Sequence, residues 1–99
     1  MNVTVNAKAT QWVAAQSLET RTAYNTKCQE AVNDDLSTWR NVGAGLFDYR
    51  VSGNFRMLAK KSGGKVAKPA DNFEVLAIYR HATGGGKEWV AGEKVPAYS

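Results

Sequence analysis

The sequence predicts an α/β chain of the α+β kind, in which a small antiparallel sheet of about four strands packs against two N-terminal helices. Three observations carry that reading. Residues 45–61 have a hairpin pattern: the turn Ser52-Gly53-Asn54 suits positive φ, and its flanks are rich in aromatic and branched residues. Residues 18–36 repeat apolar side chains at the i, i+4, i+7, i+8 spacing of a helix stripe. Residues 73–80 are apolar on both alternations, as in a central strand. A chain of 99 residues suits one domain, 1–99, with one core.

Taken in order, Val3 and Val5 alternate with Asn2, Thr4 and Asn6, the pattern of a short half-buried strand. Ala7 to Gln16 is alanine-rich around Trp12 and Val13 and predicts a short helix. Ser17 can cap the next helix, with Glu19 well placed in its first turn. That helix runs from Leu18 to about Leu36; Tyr24, Cys28, Ala31, Val32, Leu36 and Trp39 line its apolar stripe, and Arg21, Lys27, Glu30 and Asp34 lie off it. Ser37 to Gly45 reads as a connection. In the hairpin, Leu46, Asp48 and Arg50 share one face and Phe47, Tyr49 and Val51 the other. On the return strand Arg56, Leu58 and Lys60 oppose Phe55, Met57 and Ala59.

Ser62 to Asn72 reads as a polar, basic, flexible loop, longer than most hairpin connections. In the following strand Val75, Ala77, Tyr79 and His81 share one face, and Leu76, Ile78 and Arg80 the other. Gly84-Gly85-Gly86 breaks the chain. Residues 82–99 then add a short edge strand at Lys87–Val90 and a tail. Two helices between the first strand and the hairpin must cover one sheet face, which leaves the other face or its rim open to a partner.

Net charge is +4, unevenly spread. Residues 1–49 carry −1; residues 50–99 hold nine Lys and Arg against four Asp and Glu, giving +5. A basic surplus gathered in the hairpin and beyond suits a polyanionic partner, most often nucleic acid, although a surplus this small also serves solubility. Arg50 and Arg56 sit among apolar neighbours, where a guanidinium costs desolvation unless an anion meets it. The plainer reading is an arginine covering the sheet with its stem. No apolar run is long enough to span a membrane, and the N-terminus lacks the pattern of a signal peptide. The single cysteine, Cys28, fits a reducing cytoplasm and reads as a small buried hydrophobe. One Cys and one His give no support to a zinc site, and no cofactor motif is present: G-x-S-x-G, P-loop and G-x-G-x-x-G are all missing.

The run Tyr49-Arg50-Val51-Ser52-Gly53-Asn54-Phe55-Arg56-Met57, followed by Ile78-Tyr79-Arg80-His81 at the end of the last core strand, resembles the RelE/ParE superfamily of bacterial toxin–antitoxin toxins, including the HigB and YoeB groups. The likeness covers roughly residues 1–81, including the order strand, two helices, three strands. It implies a sheet packed on two helices. It also implies one of two activities: cleavage of messenger RNA, typically on the ribosome, or, in ParE-type members, inhibition of DNA gyrase. Both kinds are neutralised by an antitoxin protein. By position, Arg56 matches the arginine that binds the scissile phosphate, Arg50 the basic position before the turn, and Arg80 and His81 the basic and acid/base groups ending the strand. Three departures stand out: Asp48 where some members are basic, the long segment 62–72, and the residues after His81. Lys87, Trp89 or Tyr98 could take the place of the family's terminal acid.

Metal-free RNA cleavage uses the 2′-hydroxyl as nucleophile and needs a base, cations for the phosphorane charge and an acid for the leaving oxygen. His81 is the one histidine, and an imidazole side chain suits either proton role, though a histidine ending a strand is more often structural. The expected catalytic set is His81, Arg56 and Arg80; the expected substrate contacts are Arg50, Tyr79, Lys60, Lys61, Lys87 and Trp89, the aromatics among them by stacking on a splayed base. The expected partners are mRNA, the ribosome and an antitoxin drawn to the basic face by charge, with no membrane. The alternatives are a ParE-like gyrase inhibitor and a non-catalytic nucleic-acid-binding module of the same fold.

Overall fold

The structure is a computed structural model that describes residues 1–62 and 72–98. The loop expected between Ser62 and Asn72 thus lies, over 63–71, outside the described residues. The elements are β1 Asn2–Val5, α1 Ala7–Ala14, α2 Leu18–Val32, β2 Arg40–Gly43, β3 Leu46–Ser52, β4 Phe55–Ser62, β5 Asn72–His81, β6 Lys87–Gly92 and a 3-10 turn at Pro96–Tyr98. The mixed α/β character is as expected, but the sheet has six strands rather than about four. Its order is β1-β5-β4-β3-β2, with β6 also paired to β5. Nor is it wholly antiparallel, because β1 runs parallel to the first half of β5. The second half of β5 pairs with β6. No helix among the described residues is long and apolar enough to cross a membrane.

Both helices start on side-chain caps. Asn6 Oδ1 accepts from the backbone N–H of Lys8 and Ala9, at 2.9 and 3.2 Å. Ser17 Oγ accepts from Thr20 N at 3.3 Å, with Glu19 in the first turn of α2. Helix α2 stops at Val32, short of the expected Leu36. Asp34 takes a left-handed conformation at φ 58°, and Asp35 N bonds back to Glu30 O at 2.8 Å, so the chain turns off the helix axis. The stripe also differs. Val32 is 45% exposed, whereas Lys27, expected off the stripe, is buried. Its ammonium lies 4.0 Å above the Tyr49 ring and donates to Glu30 Oε2 at 3.0 Å and Thr38 Oγ1 at 2.7 Å. A lysine enters the helix–sheet seam only with its charge satisfied in this way.

The helix-side core joins Val13, Tyr24 and Ala31 to Trp39, Met57, Phe73, Val75 and Ile78. Phe73 is fully buried, edge-on to Trp39 at 5.0 Å. A smaller cluster lies on the far face: Leu46, Leu58, Leu76, Ala77 and Tyr79, with Val42, Trp89, Val95 and Tyr98 packed against it.

One bulge redistributes β5 between these two cores. Ala59 stands opposite Val75 and Leu58 opposite Ala77, so Leu76 is an extra residue. The expected parity fails there: Phe73, Val75 and Ile78 face the helices, while Leu76, Ala77 and Tyr79 face away. The Leu76 carbonyl accepts from Glu93 N at 2.9 Å, where β6 leaves the sheet. Gly92 makes that crossing at φ +90°; a Cβ there would land on the Leu76 oxygen and 2.8 Å from Ala77 Cα.

Candidate functional site

Register gathers Arg50, Arg56, His81 and Lys87 on the face away from the helices. Arg50 pairs with Arg56, Arg56 with Tyr79, and Tyr79 with Trp89, one row across four strands. The next row holds His81 opposite Lys87. Cross-strand partners share a face, so Arg50, Arg56, Tyr79, His81, Lys87 and Trp89 lie together. His81 is diagonal to Arg56, a Cα separation of about 7–8 Å by ordinary sheet spacing. Arg50 and His81 are exposed, and Arg56, Lys87 and Trp89 are half-buried. Two arginines directly opposite each other repel, and a bound anion would relieve that repulsion.

Beside this row lies a buried polar network. Asp48 has no solvent exposure. Arg40, opposite it on β2, donates from Nε to Oδ1 at 2.9 Å and from Nη2 to Oδ2 at 2.6 Å. Tyr79 donates its hydroxyl to Oδ2 at 2.5 Å, and Tyr98 adds a bond at 3.2 Å. Burial would push the Asp48 carboxyl up; the bonds from Arg40 and Tyr79 outweigh it and hold the group below the usual carboxylate range. The Tyr79 phenol is pushed far above its ordinary value, first by burial and then by its bond to Asp48, so it stays a donor. Asp48 is therefore a fixed, satisfied carboxylate that anchors the sheet beside the arginines.

The tail closes over this network. Tyr98 OH lies 3.1 Å from Tyr79 OH, its ring stands edge-on to Tyr79 at 5.7 Å, and Lys87 Nζ sits 4.1 Å above it. Trp89 leans on Tyr79 at 5.4 Å, its indole N–H buried with no acceptor among the described residues. His81 lies edge-on to Tyr79 at 6.2 Å.

Of the residues expected at the site, the structure brings together His81, Arg56, Arg50, Lys87 and Trp89. Tyr79 is central but fully buried, so it can meet no base while Tyr98 is in place. Lys60 shares the face but lies four residues along β4 from Arg56, beside Glu74. Lys61 pairs with Phe73 and so falls on the helix-side alternation. Arg80 is the clearest difference. It stands opposite Phe55 on the helix-side alternation, its guanidinium 5.6 Å from that ring, and is paired with Glu88 at 2.8 and 3.1 Å. The register matches Arg56 to Tyr79, not to Arg80, and this puts His81 on the arginine face and turns Arg80 away.

Sequence reasoning missed the Arg40–Asp48 pair and the placement of Tyr98. One signal was available: Asp48 falls on the same alternation as Leu46, and an aspartate buried beside leucine calls for a cation. No family model matches the chain, and neither the curated proteins nor the solved structures give a match.

Proposed function

We propose that this chain is a toxin-type endoribonuclease, similar to the RelE class, that cuts messenger RNA on the ribosome and is neutralised by an antitoxin. The observation that carries the reading is the row Arg50–Arg56–Tyr79–Trp89 with His81 and Lys87 beside it, on the sheet face that the helices leave uncovered. On this reading Arg56 and Arg50 grip the scissile phosphate through their planar donors. The 2′-oxygen attacks phosphorus, the bond to the 5′-oxygen breaks, and a 2′,3′-cyclic phosphate and a 5′-hydroxyl result. His81 takes the 2′-hydroxyl proton, Arg56 and Lys87 offset the charge gathering on phosphorus, and water protonates the leaving oxygen. Trp89, half-buried on this face, offers its ring to a splayed base. Arg80, turned away, has no part in the step.

The test is induced expression in bacteria with mapping of RNA 5′-ends. The parent is expected to arrest growth and create new mRNA ends, and His81→Ala and Arg56→Ala to do neither. Growth arrest with intact mRNA and gyrase-dependent DNA damage would replace this reading with a gyrase inhibitor. No toxicity from the parent would leave a non-catalytic binding module.

A further inference from the structure

We propose that residues 93–98 form a releasable strap over the arginine face, and that a single-stranded polyanion which engages Lys87 and Arg56 lifts Tyr98 and uncovers the Tyr79–Asp48 pair. The inference rests on the anion-binding reading of that face and adds its regulation.

Three observations support it. First, the strap and the anion face share a cation. Lys87 Nζ lies 4.1 Å over the Tyr98 ring, yet Lys87 is also the cross-strand partner of His81. A phosphate that draws the ammonium toward Arg56 removes one of the contacts holding Tyr98 down. Second, release orphans nothing. The bond from Tyr98 to Asp48, at 3.2 Å, is the longest of the four that carboxylate accepts. Without it Asp48 keeps both bonds from Arg40, at 2.9 and 2.6 Å, and the bond from Tyr79 at 2.5 Å. No buried charge is left unpaired, so the usual large penalty for breaking a buried network is missing.

Third, the strap is thinly held. Among the described residues the last backbone bond from strap to sheet is Glu93 N to Leu76 O, and the bond after it, Tyr98 N to Val95 O at 3.0 Å, is internal to the strap. Beside it an open cleft of about 320 Å³ separates Glu93 and Val95 from part of the sheet, at Leu46 and Leu76. Glu93, Lys94, Pro96 and Ala97 are exposed, and the strap packs on the far-face cluster through Val95 and Tyr98, so lifting it gives up the apolar contacts of two side chains. Weakly packed segments of this kind are the ones that open locally.

The experiment uses the full chain and a short fluorescein-labelled 2′-deoxy oligonucleotide, which cannot be cleaved. Tyr98→Ala is expected to bind it roughly three- to tenfold tighter than the parent, because the open state no longer has to be drawn from a closed majority. Tyr98→Phe, which keeps the ring under Lys87 and loses the hydroxyl bonds, should fall between them. In the parent, binding should shift the Tyr98 ring and Trp89 indole resonances together. Equal or weaker binding by Tyr98→Ala, or unmoved Tyr98 resonances in the bound parent, overturns the strap, as does no binding by any form. If RNA is cut as proposed but the variant binds no tighter, the strap fails alone. If binding tightens but RNA is never cut, the ribonuclease reading fails alone.

Discussion

Replacing Asp48 by asparagine should cost less stability than removing its partner Arg40, although Asp48 is the more buried of the two. Asparagine keeps the shape of the side chain. Its oxygen can stand at the Oδ2 position and still accept from Tyr79 and Tyr98. Its NH2 group then faces Arg40 Nε across 2.9 Å, donor against donor, and Arg40 must swing away. The Arg40 side chain is 56% exposed and can turn to water, so the loss is a partly screened, charge-assisted pair, about 1.5–2 kcal/mol. Arg40→Ala instead strands a carboxylate with no solvent exposure on two phenols, which costs about 3–5 kcal/mol. For a domain of this size, about 1 kcal/mol moves Tm by roughly 4–8 °C, so the two variants should separate clearly in thermal unfolding at neutral pH. The pH dependence follows with its sign. The folded carboxyl is held below its ordinary value, so its stabilisation is present above about pH 4 and lost as pH falls through the folded pKa. Asp48→Asn should flatten that acid limb. An asparagine variant less stable than Arg40→Ala, or an unchanged acid limb, would refute the assignment of Asp48 as a buried ionised anchor.

Three further outcomes are expected. Gly92→Ala should destabilise by about 3 kcal/mol or more and detach β6, because φ is +90° and the new methyl would meet the Leu76 carbonyl; denaturant unfolding and loss of amide protection at Tyr79 would show it. Cys28, its thiol pushed up to about 11 by burial, should react with a disulfide reagent at neutral pH at least about tenfold more slowly in the native protein than in guanidinium, with the gap narrowing as pH rises. Arg80→Ala should leave RNA cutting intact, since the side chain is paired with Glu88 on the helix-side alternation; a cleavage defect without a stability defect would contradict that placement.

The elements set by local chemistry were legible in the sequence. The turn at Gly53-Asn54, the strand alternation on either side of it, the Ser17 cap and the doubly apolar run of β5 each signal themselves within a few residues, and each is found. Elements set by pairing were not. Strand β2 has one strand-forming residue in four, Val42, and exists because Arg40 and Asn41 find partners on β3. The bulge at Leu76 reflects how β4 and β5 align and leaves no mark in the spacing of β5, so the parity of its first half was misread. The site suffered the same way. The residue types were visible, but which face each occupied depended on register. Arg56 opposite Tyr79 brings His81 in and sends Arg80 out. Tyr98 is separated from Asp48 by half the chain, and nothing local announces their contact. Lys27 was misassigned because a helical wheel sees charge and not the Tyr49 ring waiting beneath it.

The central claim is that Arg56 and His81 act together on an RNA phosphate. The direct measurement incubates purified protein with ribosome-bound mRNA and determines the chemistry of the new ends. The account predicts 2′,3′-cyclic phosphate and 5′-hydroxyl ends from the parent, and a rate at least about a hundredfold lower for both His81→Ala and Arg56→Ala while each variant remains folded. Cleavage that persists at the parent's rate in either variant, or ends of any other chemistry, would contradict it.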